Sequence, residues 1–236
     1  NDFANTLGIS GEMAQSAEQF CNGDAFRCDI GRFNGKYFTY VAAFGLFTEV
    51  SYETPQPLKN ALGHAAYILE GVKSLASIQS YHLKITCDGE EVEGDYIYGQ
   101  ISNSTSIAGI MDISRTGVQL DDGLFEVLVV RMPSNVIELN AIISSLMFQK
   151  VEESPYIYFR RAKSVTVISE IPLPWTLDGE AGGSFCYSQA DIMPGAVTFN
   201  LASLPNEKNI PAQQTLPEAE PDARPEVQED TQSPKA

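Results

Sequence analysis

The chain is predicted to be mainly β within the α+β class: a two-layer antiparallel β-sandwich-like domain with two helices at its edges. Three observations predict this. Asn34-Gly35 and Asp88-Gly89 each stand between extended runs, and such dipeptides accept the positive φ angles of a two-residue hairpin turn. Further strand-like runs follow in "QLDDGLFEVLVVRM", "YIYFRRAKSVTVISE" and "GAVTFNL". Only two long stretches carry helical periodicity, and two helices among many strands point to layers of sheet with helices at the margin.

The elements follow in chain order. Asp2 is placed to help cap a short opening helix, and Ser10-Gly11-Glu12 offers a second start, with Ser10 as N-cap before Met13 to Cys21. "AFRCDIGRFNGKYFTYVAAFG" supplies two extended runs around its Asn-Gly turn. Residues 57 to about 77 place Leu58, Leu62, Ala65, Leu69, Val72 and Leu75 near a 3.6-residue period and read as a helix. In "HLKITCDGEEVEGDYIYGQIS", Leu83, Ile85 and Cys87 alternate with Lys84 and Thr86, as in a half-buried strand. The second edge helix is expected from Ser134, as N-cap, to about Gln149, with Val136, Leu139, Ile142, Ile143 and Leu146 facing inward. Val165, Val167 and Ser169 alternate in the strand after Ser164.

Composition limits the function classes. At 236 residues and 43% hydrophobic, the chain can bury one substantial core. A formal charge of −16 argues against nucleic acid, whose phosphates call for clustered Lys and Arg, and disfavours tight adhesion to anionic lipid. No apolar run approaches the roughly 20 residues that cross a bilayer, so membrane contact is expected to be peripheral. Cys21, Cys28, Cys87 and Cys186 form no CxxC pair, and only His64 and His82 are present, so the thiols read as small core residues in a reducing cytoplasm. From Pro205 onward the sequence is rich in proline, acid and glutamine without an aromatic residue, and residues 205–236 read as a disordered acidic tail.

Three loops carry the chemistry. In "VQLDDGLFEV", a carboxylate in a tight turn beside outward carbonyls makes a hard oxygen site suited to Mg²⁺, although Asp-Gly is also an ordinary turn. In "WTLDGEAGGSF", Glu180 is placed to accept a proton from a hydroxyl nucleophile or simply to sit at a solvated hairpin tip, and Gly182-Gly183 permits close approach of a ligand or another backbone. "ISNSTSIAGI" holds small hydroxyl and amide side chains suited to a polar ligand or to an ordinary loop. The basic "FRRAKS" reads as a lipid-headgroup contact or a solvated strand end; Phe38, Tyr40, Phe44 and Phe47 read as an acyl pocket or, more simply, as core.

Taken in order, NDFA, "GKYFTYVAAFGLFTEVSYETP", "LGHAAYILEGVKSL", "SNSTSIAG", "LDDGLFEV" and "LDGE" resemble the bacterial diacylglycerol kinase family of lipid kinases, relatives of the sphingosine kinases. The resemblance covers nearly all of residues 1–204. It implies that NDFA closes a glycine-rich ATP-binding segment of a preceding α/β domain, of which residues 1–22 are the remnant, and that residues 23–204 are the second, β-rich domain of a lipid kinase. The family has arginine after NDFA; Asn5 stands here, which removes a basic contact.

The resemblance further implies ATP-dependent phosphorylation of a lipid hydroxyl, with diacylglycerol yielding phosphatidic acid. Glu180 matches the general base. Asp122 matches a Mg²⁺ ligand, with main-chain oxygens at Gln119 and Leu124, and Asp2 matches an aspartate of the associated water network. ATP and Mg²⁺ are the expected cofactors, and the lipid alcohol at a membrane surface is the expected partner, with room for a homodimer. The expected location is cytoplasmic and peripherally membrane-associated. The chain by itself, lacking the GGDGT-type segment, is expected to be inactive. Two alternatives stand beside this one: a non-catalytic lipid-binding or regulatory module, and a kinase for a sphingoid base or other lipid alcohol.

Overall fold

In the computed structural model, which describes residues 2–46, 78–104, 106–107, 111–112, 119–148 and 150–201, the two expected dipeptides form left-handed turns. Asn34 and Gly35 have φ of 44° and 83°, and Asp88 and Gly89 have 47° and 94°. The first turn joins β1 (Asp24–Phe33) to β2 (Lys36–Phe38), which leads on to β3 (Val41–Gly45). The second joins β4 (Tyr81–Cys87) to β5 (Glu90–Ser102). A small ladder, β6 (Ser106–Ile107) with β7 (Met111–Asp112), precedes β8 (Phe125–Arg131). The "YIYFRRAKSVTVISE" run divides at Lys163 into β9 (Ile157–Ala162) and β10 (Ser164–Leu177), and "GAVTFNL" is the far end of the long β11 (Glu180–Leu201).

Among the described residues, nine strands form one antiparallel sheet in the order β2-β1-β11-β10-β3-β5-β8-β9, with β4 sharing the slot between β10 and β5. β10 serves two neighbours in succession: Val165–Ser169 pairs with β4, and Trp175–Leu177 pairs with β3. Its ladder with β11 shifts between Ile168 and Leu173, and such a bulge bends a strand. The sheet thereby folds over itself. Phe38 of β2 stacks on Phe125 of β8 at 5.7 Å between ring centroids, although these strands lie near opposite ends of the strand order. Between the two layers, Trp175 touches Phe33 and Phe44 at 4.7 and 5.0 Å, among Leu83, Ile85, Val127 and Val167.

A second cluster lies where helix α3 (Val136–Met147) places Ile142 against Ala43, Tyr98, Leu128, Val130 and Phe159. The expected Ser134 cap is corrected to Asn135. Extended at φ −157°, Asn135 accepts the N–H groups of Ile137 and Glu138 at 3.0 Å each, while Glu138 reaches back to the Ser134 N–H at 2.7 Å. The helix ends at Met147, short of Gln149. Near the start of the chain, α1 (Asp2–Thr6) and α2 (Met13–Asn22) follow one another. Ser10 does not cap α2: its Oγ accepts the Glu12 N–H at 3.1 Å and so shapes the turn ahead of the helix, and Glu12 at the N-cap makes no side-chain capping bond. The helix expected over 57–77, Phe47 and the 205–236 tail lie outside the described residues.

Cys28 and Cys87 are buried as expected, but Cys21 and Cys186 are exposed, and all four are free thiols. Cys186 lies on a solvent-facing stretch of β11 and Cys21 in the last turn of α2, which buries none of its residues. Among the described residues, no helix is long and apolar enough to cross a membrane.

Candidate active site

The LDGE turn, the SNS segment and the opening helix meet around the bend Thr39-Tyr40 between β2 and β3, and the LDDG loop joins them through Asn103. Asp178 and Gly179 form the LDGE turn, with φ of 51° and 88°. The Asp178 carboxylate folds back over the bend: Oδ2 accepts from the Thr39 N–H and hydroxyl at 2.8 and 3.0 Å, and Oδ1 from the N–H groups of Tyr40 and Val41 at 2.9 Å each. The Tyr40 carbonyl accepts the Asn103 N–H at 3.1 Å. The Asn103 side-chain amide then donates to the carbonyls of Asp29 and Leu120, at 2.7 and 3.2 Å. One continuous set of hydrogen bonds therefore runs from LDGE through "SNS" to the LDDG loop. Phe3 of NDFA joins the same place, its ring 6.1 Å from that of Tyr40 and 6.0 Å from that of Phe199.

Two devices fix the LDDG loop. Leu120 is buried with Leu7, Phe26, Cys28 and Leu201, next to Phe3, Ile9 and Phe199. Asp29, 1% exposed on β1, accepts the Gly123 N–H on one carboxylate oxygen and the Gly195 N–H on the other, both at 2.6 Å. A buried carboxylate is tolerated when charge-assisted bonds of this kind replace its lost hydration.

The donor set of the loop fits a divalent cation. Asp122 is half-buried; burial pushes its carboxyl up, Asp29 and Asp121 push the same way, and the Leu124 N–H, which donates to Asp122 Oδ1 at 3.0 Å, opposes them. The carbonyls of Gln119 and Leu124 accept no hydrogen bond from a described residue. One carboxylate and two main-chain oxygens are hard ligands of the kind Mg²⁺ takes, with water completing the shell. Among the described residues, no group of three or more His, Cys, Asp or Glu side chains is arranged for a metal, so any ion here relies on those carbonyls.

Behind the loop, Glu126 is fully buried on β8, and the groups that favour its charge are Arg161 and the backbone N–H groups of Glu126 and Ser104. Burial first, and then Asp122, push its carboxyl up to about 8, although Arg161 Nε stands 3.6 Å away. Arg160 in turn lies 3.5 Å from Glu90. The "FRRAKS" arginines thus sit beside acids of β5 and β8.

Glu180 is the first residue of β11, paired with Leu177 and exposed, and its side chain has no hydrogen bond or ion pair to a described residue. Its backbone is held from both sides. Leu177 pairs with Ala42 of β3, and Lys36 Nζ donates to the Gly182 carbonyl at 2.8 Å. The neighbour that Gly182 admits is backbone, since a Cβ there would lie 2.9 Å from the Trp175 carbonyl oxygen.

The sequence-predicted residues are distributed accordingly. Gln119, Asp122 and Leu124 share one loop, and Glu180 lies in a second loop connected to it through Tyr40 and Asn103. Asp2 lies in α1 beside Phe3, but its side chain is outside the described set. Asp29, Asn103 and Asp178 were not singled out from sequence. The available signal was an acid inside the apolar "CDIG" run and an aspartate leading an Asp-Gly turn. Phe38 and Phe44 are core, whereas Tyr40 is part of the site.

Comparison with known proteins gives these features a family. The chain is 29% identical over 210 residues to a diacylglycerol kinase of Staphylococcus saprophyticus, covering 89% of this chain and 68% of that protein. It is 32% identical over 183 residues to a diacylglycerol kinase of Staphylococcus aureus strain JH9, covering 78% of this chain and 58% of the relative. Among solved structures, a candidate diacylglycerol kinase from Bacillus anthracis strain Sterne superposes with a TM-score of 0.67 at 25% identity, over 85% of this chain and 66% of that one. A diacylglycerol kinase structure from the same strain shares the fold, with a TM-score of 0.59 at 22% identity. The chain thus spans roughly six- to seven-tenths of the length of these proteins. Residues 43–200, which run from within β3 almost to the end of β11 and include both loops, match the model of the YegS C-terminal NAD kinase beta sandwich-like domain, and the chain belongs to that family.

Proposed function

We propose that this chain is the acceptor-side domain of an ATP-dependent lipid kinase that phosphorylates diacylglycerol to phosphatidic acid. The observation that carries the reading is the meeting of NDFA, SNS and LDGE at one bend, with LDDG linked to it through Asn103 and the Glu180 carboxylate left without a partner among the described residues. The relatives named diacylglycerol kinase support the substrate class.

In this reading the Glu180 carboxylate accepts the proton of the lipid hydroxyl while that oxygen bonds to the γ-phosphorus of ATP, and the bond from phosphorus to the bridging oxygen breaks to release ADP. General-base assistance of this kind contributes on the order of 10²- to 10⁴-fold. An exposed glutamate beside a water-excluding lipid becomes desolvated only when substrate is bound, which suits a base that must take its proton in the closed complex. Asp122 and the carbonyls of Gln119 and Leu124 would hold Mg²⁺, which supplies positive charge and ordered water to the cleft when bound. Asp29 holds that loop in shape from the protein side. ATP would be bound by a nucleotide domain joined ahead of NDFA, and the chain by itself is expected not to transfer phosphate.

The test is phosphate transfer from labelled ATP to a panel of lipid alcohols by the full-length protein. Diacylglycerol is expected to be the best acceptor by kcat/KM. A sphingoid base or ceramide ahead of it would change the substrate, and no acceptor at all would remove the kinase reading.

A further inference from the structure

We propose that Asp178 is the positioning residue for Glu180, an inference that rests on the reading of Glu180 as proton acceptor. The Glu180 side chain makes no bond to a described residue, so its place is set by the turn that carries it. Two-residue turns at the end of long hairpins project into solvent, and a swing of about 1 Å at a reacting group can cost on the order of 10²-fold in rate. Asp178 restrains that swing. Its carboxylate accepts four hydrogen bonds from Thr39, Tyr40 and Val41, and its own N–H donates to the Val41 carbonyl at 2.8 Å.

The other two hairpins show what such a lock does alone. Asp88 accepts the N–H groups of Lys163 and Ser164, and Asn34 exchanges two bonds with Tyr187 and Gln189. Each ties a turn to a neighbouring strand, and neither turn carries a candidate catalytic group. Asp178 differs in what it grips: the 39–41 bend also receives Phe3 of NDFA and the Asn103 N–H. The carboxylate therefore registers Glu180 against the same bend that fixes NDFA and, through Asn103, the LDDG loop.

Asp178→Asn separates the lock from the turn. Asparagine tolerates the positive φ, as Asn34 does at 44°. Its amide keeps one acceptor oxygen and turns a second donor toward the N–H groups that the lost oxygen served. In the full-length kinase, kcat is expected to fall at least about tenfold while KM for lipid and for ATP stays within about threefold. On the chain itself, hydrogen exchange at the amides of residues 39–41 is expected to accelerate. A second variant guards against misfolding: Thr39→Val removes one of the four bonds and is expected to lower kcat about two- to fivefold with KM unchanged. Faster exchange with wild-type kcat in Asp178→Asn would overturn the inference while leaving the kinase reading intact. Wild-type kcat in Thr39→Val, if Asp178→Asn does not fold, would do the same. Absence of phosphate transfer by the wild-type protein would overturn both.

Discussion

Asp29 and Gly123, 94 residues apart, are joined by a 2.6 Å hydrogen bond in which a buried carboxylate accepts the N–H of the LDDG loop. The other oxygen of the same carboxylate takes the Gly195 N–H. Asp29→Asn keeps the size of the side chain but presents an amide to one of two half-buried N–H donors. Hydrogen bonds to charged groups contribute roughly 1.5–3 kcal/mol, and a stranded buried donor costs a similar amount. The expected loss is about 2–4 kcal/mol in chemical denaturation of the chain. A change under about 0.5 kcal/mol would mean that the loop does not depend on this clamp.

Mg²⁺ affinity should distinguish the two acids of LDDG. Asp122 lies between the carbonyls of Gln119 and Leu124 and is half-buried, whereas Asp121 is exposed. Asp122→Asn is therefore expected to weaken Mg²⁺ binding to the full-length protein at least about tenfold, and Asp121→Asn about threefold or less, by calorimetry. Equal losses would contradict the assignment of the ligand.

Glu126 gives a pH dependence of defined sign. Its folded carboxyl is pushed up to about 8 from the ordinary 4.5. Between those values the folded state binds more protons than the unfolded state, so stability falls as pH rises through that window and levels off above it. Glu126→Gln, a neutral isostere, is expected to flatten that slope, gaining on wild type from pH 5 to pH 9. Parallel stability curves for the two proteins would show that Glu126 is ionised in the folded state.

His82 supplies a smaller effect at the surface. Its ring lies 2.9 Å from Asp95 and 3.2 Å from Glu93, and those bonds raise its pKa above 6.5. Its stabilisation is complete below about pH 6.5 and is lost as pH rises through the raised value. An NMR titration should place the His82 midpoint above the ordinary value, and Glu93→Gln with Asp95→Asn should return it; a midpoint at or below 6.5 in the wild type would contradict these contacts.

The hairpins were legible because Asn34-Gly35 and Asp88-Gly89 declare their backbone angles locally, and α3 was legible from the spacing of Leu139, Ile142 and Leu146, although Val136, expected to face inward, is exposed. The wrong cap residues at both helices have a common cause: several residues near each start can cap, and at α3 it is Asn135, extended one residue later than Ser134, that reaches the N–H groups of Ile137 and Glu138. The candidate site was visible in sequence only as separate loops. Its organisation lies in pairs such as Asp29–Gly195 and Asp178–Tyr40, whose members are 166 and 138 residues apart. Local pattern carries no signal for such pairs. Asp29 was hidden further by the ladder irregularity between Cys28 and Ile30, which buries four consecutive residues and removes the alternation that would have marked its face.

The kinase account depends most on the chemistry assigned to Glu180. Glu180→Gln preserves the size and reach of an exposed side chain but removes its basicity, so folding and Mg²⁺ binding should be unchanged. The deciding measurement is kcat of the full-length Glu180→Gln protein with a short-chain diacylglycerol, under conditions where chemistry limits turnover, alongside a thermal melt. The account predicts a loss of roughly 10²- to 10⁴-fold in kcat with an unaltered melt. A variant that keeps more than about a tenth of the wild-type rate would contradict it, because general-base assistance contributes at least roughly a hundredfold.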